Sequence, residues 1–246
     1  MDNAVHHVKR AIVMAAGMGS RMVPVTLETP KPLVKVNGVS MIDTVIEGLH
    51  ANGINEIYVV VGYKKEQFRI LEEKYNGLHL IENPYYDICN NISSLYCARE
   101  HIEDAIILDG DQMVYNSEAL SPEFTMSGYN CVWQEEDSDE WMLEVKDGVV
   151  VKCSRNGGKK AWQLYSVSRW TAEDGKKLKK HLEIEFDEKN NRQIYWDDVA
   201  LFCYPDEYKL GVREMHKGDI VELDSLKELA EADESYKKYL PTEKED

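Results

Sequence analysis

The sequence predicts an α/β fold: a mostly parallel mixed sheet with helices on both faces, followed by a β-rich second half. Three observations carry this. Short apolar runs alternate with amphipathic helical stretches up to about residue 128, the pattern of sheets whose crossovers are helices. Beyond that point strand-like segments follow one another with turn chemistry between them. The 246 residues are 43% hydrophobic, enough core for one large domain. We therefore expect one domain over residues 1–246, with halves at about 8–128 and 129–240.

The elements follow in order. "RAIVMAA" is a buried strand and "VSMIDTVIEGLHANG" a helix, with Met41, Val45, Ile46 and Leu49 on one side and a stop at Gly53. "INEIYVVVG" is the next strand, "KKEQFRILEEKYNG" a helix with a glycine stop, and "LHLIEN" a third strand. "NNISSLYCAREHI" predicts a helix and "DAIILDGD" a fourth strand. In the second half, "YNCVWQEE", "WMLEVKDGVVVKCS" and "KAWQLYSVSRW" are strands, with "KDG" and "RNGG" as turns. "TAEDGKKLKKHLE" is a polar helix, and residues 224–240 predict another that begins at Asp224 or Ser225. The last six residues are polar and expected to fray.

In such sheets ligands bind beyond the carboxyl ends of the strands, near a switch in strand order. Three stretches fall there. The first is "AAGMGSRM", residues 15–22. Gly17 and Gly19 let the backbone turn and present N–H groups to an anion, and Arg21 adds a fork of donors matched to phosphate. No Gly-Lys-Ser/Thr follows, which disfavours a kinase-type phosphate loop. A plain strand-to-helix turn would look similar. "ETPKPLVKV" adds weight, because Pro30 and Pro32 restrict the backbone around Lys31, though a surface lysine is the simpler alternative.

The second stretch is "LDGDQ", where Asp109 and Asp111 flank Gly110 at a strand end. Paired carboxylates there suit Mg²⁺, a hard cation that shares substrate phosphates; a solvated turn also fits. A bulky residue at 110 would crowd a ligand between the two acids. In "IYWDDVAL", Asp197 and Asp198 sit among apolar neighbours, which is costly unless they are paired or bind metal. The third is the start of the helix near residue 91.

Net charge is −16, which disfavours nucleic acid and anionic membranes as partners. Residues 1–36 run the other way, with Lys9, Arg10, Arg21, Lys31 and Lys35 against Asp2 and Glu28, a balance of +3. Cysteines 89, 97, 131, 153 and 203 show no C-x-x-C spacing, which argues against disulfides and structural zinc. Neither a secretion signal nor a membrane-length apolar run is seen, and a cytoplasmic location is expected. The seven histidines are dispersed and are expected to be non-catalytic.

"AAGMGSR…TPKPLVKV", "DGDQ" and "YWDD" resemble the signature of the nucleotidyltransferases that join NTPs to phosphorylated compounds. "ENPYYDICNNISSLY", "DEWMLEV", "IYWDD" and "VELDSLKEL" resemble the branch of bacterial CTP:phosphocholine cytidylyltransferases. Roughly residues 9–235 take part. The resemblance implies a Rossmann-like three-layer sandwich and Mg-dependent cytidylyl transfer from CTP to phosphocholine. It implies that Arg21 and Lys31 neutralise the reacting phosphates. Ala15, Ala16, Gly17, Gly19, Ser20 and Arg21 would hold the nucleotide, with Asn90, Asn91 and Ser94 at its base and ribose, and Asp109 alongside as a structural acid. Asp111 and Asp197 would bind Mg²⁺. Lys31, Glu140, Trp141, Tyr195 and Asp198 would meet the acceptor, aromatic faces being suited to a quaternary ammonium. Trp133, Trp162 and Trp170 are expected in the core. One departure is Val23, where many relatives carry a further basic residue.

Other acceptors remain open: phosphoethanolamine, 2-aminoethylphosphonate or a sugar 1-phosphate. So does a catalytically silent nucleotide-binding regulatory module. Oligomeric state and fusion to a kinase or another enzyme domain are also left open.

Overall fold

The structure, a computed structural model, describes residues 4–241. Of the expected frayed tail, all but Pro241 lies outside the described residues.

Nine strands make the main sheet: β1 Arg10–Ala15, β2 Glu56–Val61, β3 Leu78–Glu82, β4 Ala105–Asp109, β5 Gly128–Gln134, β6 Met142–Lys146, β7 Val149–Ser154, β8 Ala161–Trp170 and β9 Gly211–Glu214. Their order is β5-β9-β7-β6-β8-β4-β1-β2-β3. The four strands of the first half run parallel. The second half is largely antiparallel and curls back, so that β5 also pairs with β8. The sheet is mixed as expected, with its parallel character confined mostly to the first half. Strand order reverses at β1, which lies between β2 and β4.

Helices cover both faces. Helix α1, Met41–Ala51, buries Met41, Ile42, Val45, Ile46 and Leu49, and Gly53 at φ 75° turns the chain out of it. Helix α2, Arg69–Lys74, packs on the same face through Leu71. Helices α3, Ile92–Cys97, and α4, Ala172–Glu183, cover the other face. Three layers result. A third apolar cluster joins Met22, Val34, Val36 and Met41 to Met113, Leu223 and Leu229. It seats helix α5, Leu226–Ala232, against the loop segments that follow β1.

Some expectations need correction. The C-terminal helix is two pieces, because Asp233 is extended at φ −141° and ψ 109° and a 3-10 stretch, Glu234–Tyr239, follows. Ser225, not Asp224, caps α5, with Glu228 completing a capping box. The helix before Gly77 starts as 3-10 turns and ends at Lys74. Gly77 serves the loop's close pass over β2: a Cβ there would stand 2.1 Å from the Asn55 carbonyl oxygen. Two π-helical turns, Ile184–Glu188 and Val199–Cys203, and a two-stranded ribbon, Gln112–Val114 with Ile220–Glu222, were not foreseen. The "KDG" turn does fold as a hairpin, with Asp147 and Gly148 both at positive φ. Among the described residues no helix is long and apolar enough to cross a membrane.

Candidate active site

The glycine loop leaves the end of β1. Gly19 is left-handed at φ 61°, and a Cβ there would lie 2.9 Å from both Lys31 Cβ and Thr26 Cγ2. Thr26 Oγ1 donates to the Gly19 carbonyl at 2.9 Å. Gly19 thus lets the loop lie flat on the Lys31 segment. Gly17 differs: nothing lies within 4 Å of where its Cβ would be, so it faces open cavity. Ala15, Gly17, Gly19, Ser20, Arg21, Lys31, Asn90, Asp111 and Asp224 line a cavity of about 420 Å³.

Lys31 is 6% exposed. Pro30 and Pro32 place it in a 3-10 turn, Lys31–Leu33, closed by Leu33 N–H donating to the Pro30 carbonyl at 2.8 Å. Its Nζ reaches Asp111 Oδ2 at 2.6 Å and Asp224 Oδ1 at 2.8 Å. Burial disfavours its charge, but Asp111 and Asp224 outweigh burial and raise its pKa above 10.5. Asp224 also meets Arg21 at 3.2 Å. Against the cost of burial, Lys31 and then Arg21 hold its carboxyl below the usual range.

A second cavity of about 330 Å³ adjoins the first and shares Arg21, Asp111 and Asp224 with it. Asn91, Asp109, Glu140, Trp141, Ser166, Tyr195, Asp197 and Glu222 also line it. Gly110 sits between Asp109 and Asp111 for a reason internal to the sheet. A Cβ there would stand 3.1 Å from Val13 Cγ1 and 3.2 Å from the Met14 carbonyl oxygen; it would crowd β1 rather than a ligand.

This second cavity is acidic. The basic balance expected near the loop disperses, since Lys9 pairs with Asp104 and Arg10 with Glu56. Burial, then Asp111, pushes Asp109 up to about 7. Burial, then Asp109 and Asp111, pushes Glu222 up to about 8. Asp197 is raised well above its ordinary value by burial and by Asp109. It is 7% exposed, and its Oδ1 has no hydrogen-bond partner.

These acids fit a hard divalent cation. They offer only oxygen donors, one of them buried and unpartnered, in mutual repulsion that a cation would relieve. Among the described residues no three metal-ligating side chains converge into a ready cage. A divalent ion held here would need substrate phosphates to complete its shell.

The acidic character sets a pH dependence. Folded Asp109 and Glu222 keep protons to about 7 and about 8, whereas unfolded carboxyls release them near ~4. The folded state therefore binds more protons between these values, and stability falls as pH rises. We expect the melting temperature of the chelator-treated protein to rise when pH drops from ~8.5 to ~7. Burial lowers the pKa of His101 and His181 below 6.5, so they titrate beneath this window. Glu222→Gln should remove most of the rise; an unchanged slope in that variant would show that Glu222 does not titrate there.

The structure gathers most of the sequence-predicted residues, but not all. Ala16 lies beside the first cavity with its carbonyl held by Tyr63 N–H at 3.1 Å. Ser94 is buried and accepts from Asn83 at 3.1 Å, away from both cavities. Asn91 Oδ1 accepts Trp196 N–H at 2.9 Å, tying α3 to the acidic segment. Asp198 does not line the acceptor-side cavity. It is 2% exposed, pairs with Arg155, and its Oδ2 accepts Tyr195 N–H at 2.9 Å. The acid expected to meet the acceptor instead fixes the wall. Trp170 is in the core and Trp162 packs against it as expected, while Trp133 is 42% exposed.

Sequence reasoning passed over Asp224, Glu222 and Arg155. In "VELD", Glu222 and Asp224 are two apart, the same spacing that drew attention to Asp109 and Asp111. Arg155 gave no signal, because it meets Asp198 only through the fold.

A glycine turn at the sheet's switch point, a buried lysine beside it and oxygen donors across a shared cavity are what a nucleotidyltransferase needs. Comparison with known proteins agrees. Residues 11–143 match the MobA-like NTP transferase domain, and the chain belongs to that family. It is 38% identical over 229 residues to the 2-aminoethylphosphonate cytidylyltransferase of Lancefieldella rimae, covering 92% of each chain. It is 33% identical to the choline-phosphate cytidylyltransferase of Streptococcus pneumoniae, covering 93% of this chain and 98% of the relative. The solved structure of the CTP:phosphocholine cytidylyltransferase from Streptococcus pneumoniae superposes with a TM-score of 0.83 at 32% identity, covering 93% of this chain and 99% of that one. The chain is thus an enzyme, a nucleotidyltransferase of the cytidylyltransferase type.

Proposed function

We propose that the enzyme transfers CMP from CTP to a small phosphate or phosphonate bearing a cationic amine, releasing pyrophosphate. The observation that carries this is the pair of adjoining cavities that share Arg21, Asp111 and Asp224. The glycine-loop side takes the nucleotide through Gly17, Gly19, Ser20 and Arg21. The acidic side takes the acceptor. In this reading residues 1–246 act as one nucleotidyltransferase domain whose halves meet at the shared wall.

The acceptor's oxygen attacks the α-phosphorus of CTP. A new P–O bond forms, the bond to the β-phosphate bridge breaks, and pyrophosphate leaves with the electron pair. A second phosphate pKa of about 6 leaves that oxygen ionised at neutral pH, so no general base is needed. Arg21 and Lys31 offset the repulsion between the two anions. Asp111 and Asp197 would hold Mg²⁺, which supplies further charge neutralisation at the reacting phosphates.

Two features bear on the amine. Trp141 and Tyr195 meet edge to face at 5.6 Å, the kind of aromatic wall expected for phosphocholine. Yet the Arg155 guanidinium already stands over the Trp141 ring at 5.4 Å, and Glu140 and Glu222 line the same cavity. A primary ammonium can donate to the carboxyl oxygens of both, and its charge favours their ionised form, whereas a quaternary one has no N–H to donate. We therefore place 2-aminoethylphosphonate and phosphoethanolamine ahead of phosphocholine. Pyrophosphate release should be followed with each of four NTPs against these three acceptors and glucose 1-phosphate. CTP with 2-aminoethylphosphonate should be fastest. Equal rates with glucose 1-phosphate would end the amine claim. A phosphocholine rate tenfold above the others would replace the carboxylate reading by the aromatic one.

A further inference from the structure

The opposite edge of the sheet carries a second cationic feature. Across β8, β5 and β9, Arg169 stands opposite Gly128, Gly128 opposite Gly211, and Asn130 opposite Arg213. Residues in register, and residues two apart on a strand, share a face. Arg169, both glycines, Asn130 and Arg213 therefore lie on one face. Gly128 has no room for a side chain, because a Cβ there would lie 2.0 Å from the Gly211 carbonyl oxygen, while the Met126 side chain lies over Gly211, its Cγ 2.8 Å from where a Cβ would stand. The two strands pass closely at these glycines, and both arginines, with Glu123 and Met126, line a trough of about 350 Å³ beside them.

The charges there are only partly compensated: Glu123 lines the cavity and offsets some of the burial cost of Arg213, whereas Arg169 has no acidic neighbour among the described residues. Arg169 is 2% exposed. It donates to the carbonyls of Ser121 and Ala119, each at 2.9 Å, and to Asn130 Oδ1 at 2.6 Å. All three acceptors are neutral. Arg213 donates to the carbonyl of Glu123 at 2.7 Å. Among the described residues neither arginine has a carboxylate within ion-pair distance, Glu123 acting on Arg213 from farther away. A guanidinium has five N–H donors, so each retains spare ones. A buried positive charge held only by neutral partners is costly, and an anion relieves that cost. Burial, with Arg213 adding to it, lowers the Arg169 pKa to about 9, which is the mark of a cation without a counter-charge.

We propose that this trough binds a small oxyanion of the phosphate type, at a site separate from the two cavities that hold the reacting groups. The separation follows from the strands. Arg169 pairs with Ile106 near the start of β4, whereas Asp109 ends that strand on the catalytic side. A free phosphate and the phosphate group of a small ester share the recognised chemistry.

The test is calorimetric titration of inorganic phosphate, and separately of glycerol 2-phosphate, into the wild type, Arg21→Ala and Arg213→Ala. Arg21→Ala should keep a phosphate site. Arg213→Ala should lose at least ~10-fold in affinity at that site, as removal of a charge-assisted donor pair does. Its turnover without added phosphate should match the wild type, showing that it is folded. Binding of both probes identifies an ester-tolerant site, and binding of inorganic phosphate alone a free-oxyanion site; either supports the proposal. Absence of binding in Arg21→Ala, or unchanged binding in Arg213→Ala, overturns it.

Discussion

Asp197→Asn is expected to lower turnover at least ~10²-fold, the usual cost of removing a group that organises transition-state charge. The melting temperature of the same variant in chelator should stay level or rise. Asp197 is buried, its Oδ1 has no partner, and neighbouring acids repel it, so the fold gains nothing from its charge. Asp198→Asn should show the reverse emphasis. That side chain holds Arg155 and the Tyr195 N–H, and weakening this network should cost about 1–3 kcal/mol with a smaller loss of turnover. Comparing kcat and urea unfolding across the two variants checks the assignment. A destabilised Asp197→Asn that retains wild-type turnover would remove Asp197 from the reaction.

Lys31→Met carries the other large expected effect, a fall in kcat of ~10²–10³-fold. The variant should also lose stability, toward the lower end of ~1.5–3 kcal/mol because the carboxylate partners are partly exposed. Asp111 and Asp224 would face one another without the cation between them. Lys31→Arg should not restore the rate. The lysine Nζ sits as a single point between Asp111 at 2.6 Å and Asp224 at 2.8 Å, a geometry that the longer, planar guanidinium does not reproduce. Full activity in Lys31→Met would show that the lysine is structural, and full activity in Lys31→Arg that its charge matters but its shape does not.

The strands and helices of the first half were legible because both faces of a parallel sheet are buried, so "AIVM" and "IYVVV" stand out as unbroken apolar runs. The glycine turn and Lys31 were legible because special backbone shapes demand special residues. The division of labour between Asp197 and Asp198 was not. Adjacent acids look alike in sequence, and only the turn after Tyr195 sends one into the cavity and the other to Arg155. The acidity of the acceptor side was hidden for a related reason. Glu222 and Asp224 arrive from about a hundred residues beyond Asp109, through a ribbon too short for its apolar alternation to be noticed. The same holds for the broken C-terminal helix, where good helix formers surround the residue at which the chain turns extended.

The apolar cluster that seats α5 has a consequence for synthesis. Asp224 reaches Lys31 only after its segment has docked onto Met22, Val34 and Met41. A nascent chain halted before that point would hold a nearly complete scaffold with its lysine still lacking one acidic partner. A segment made after the rest of the site is thus what arms the enzyme.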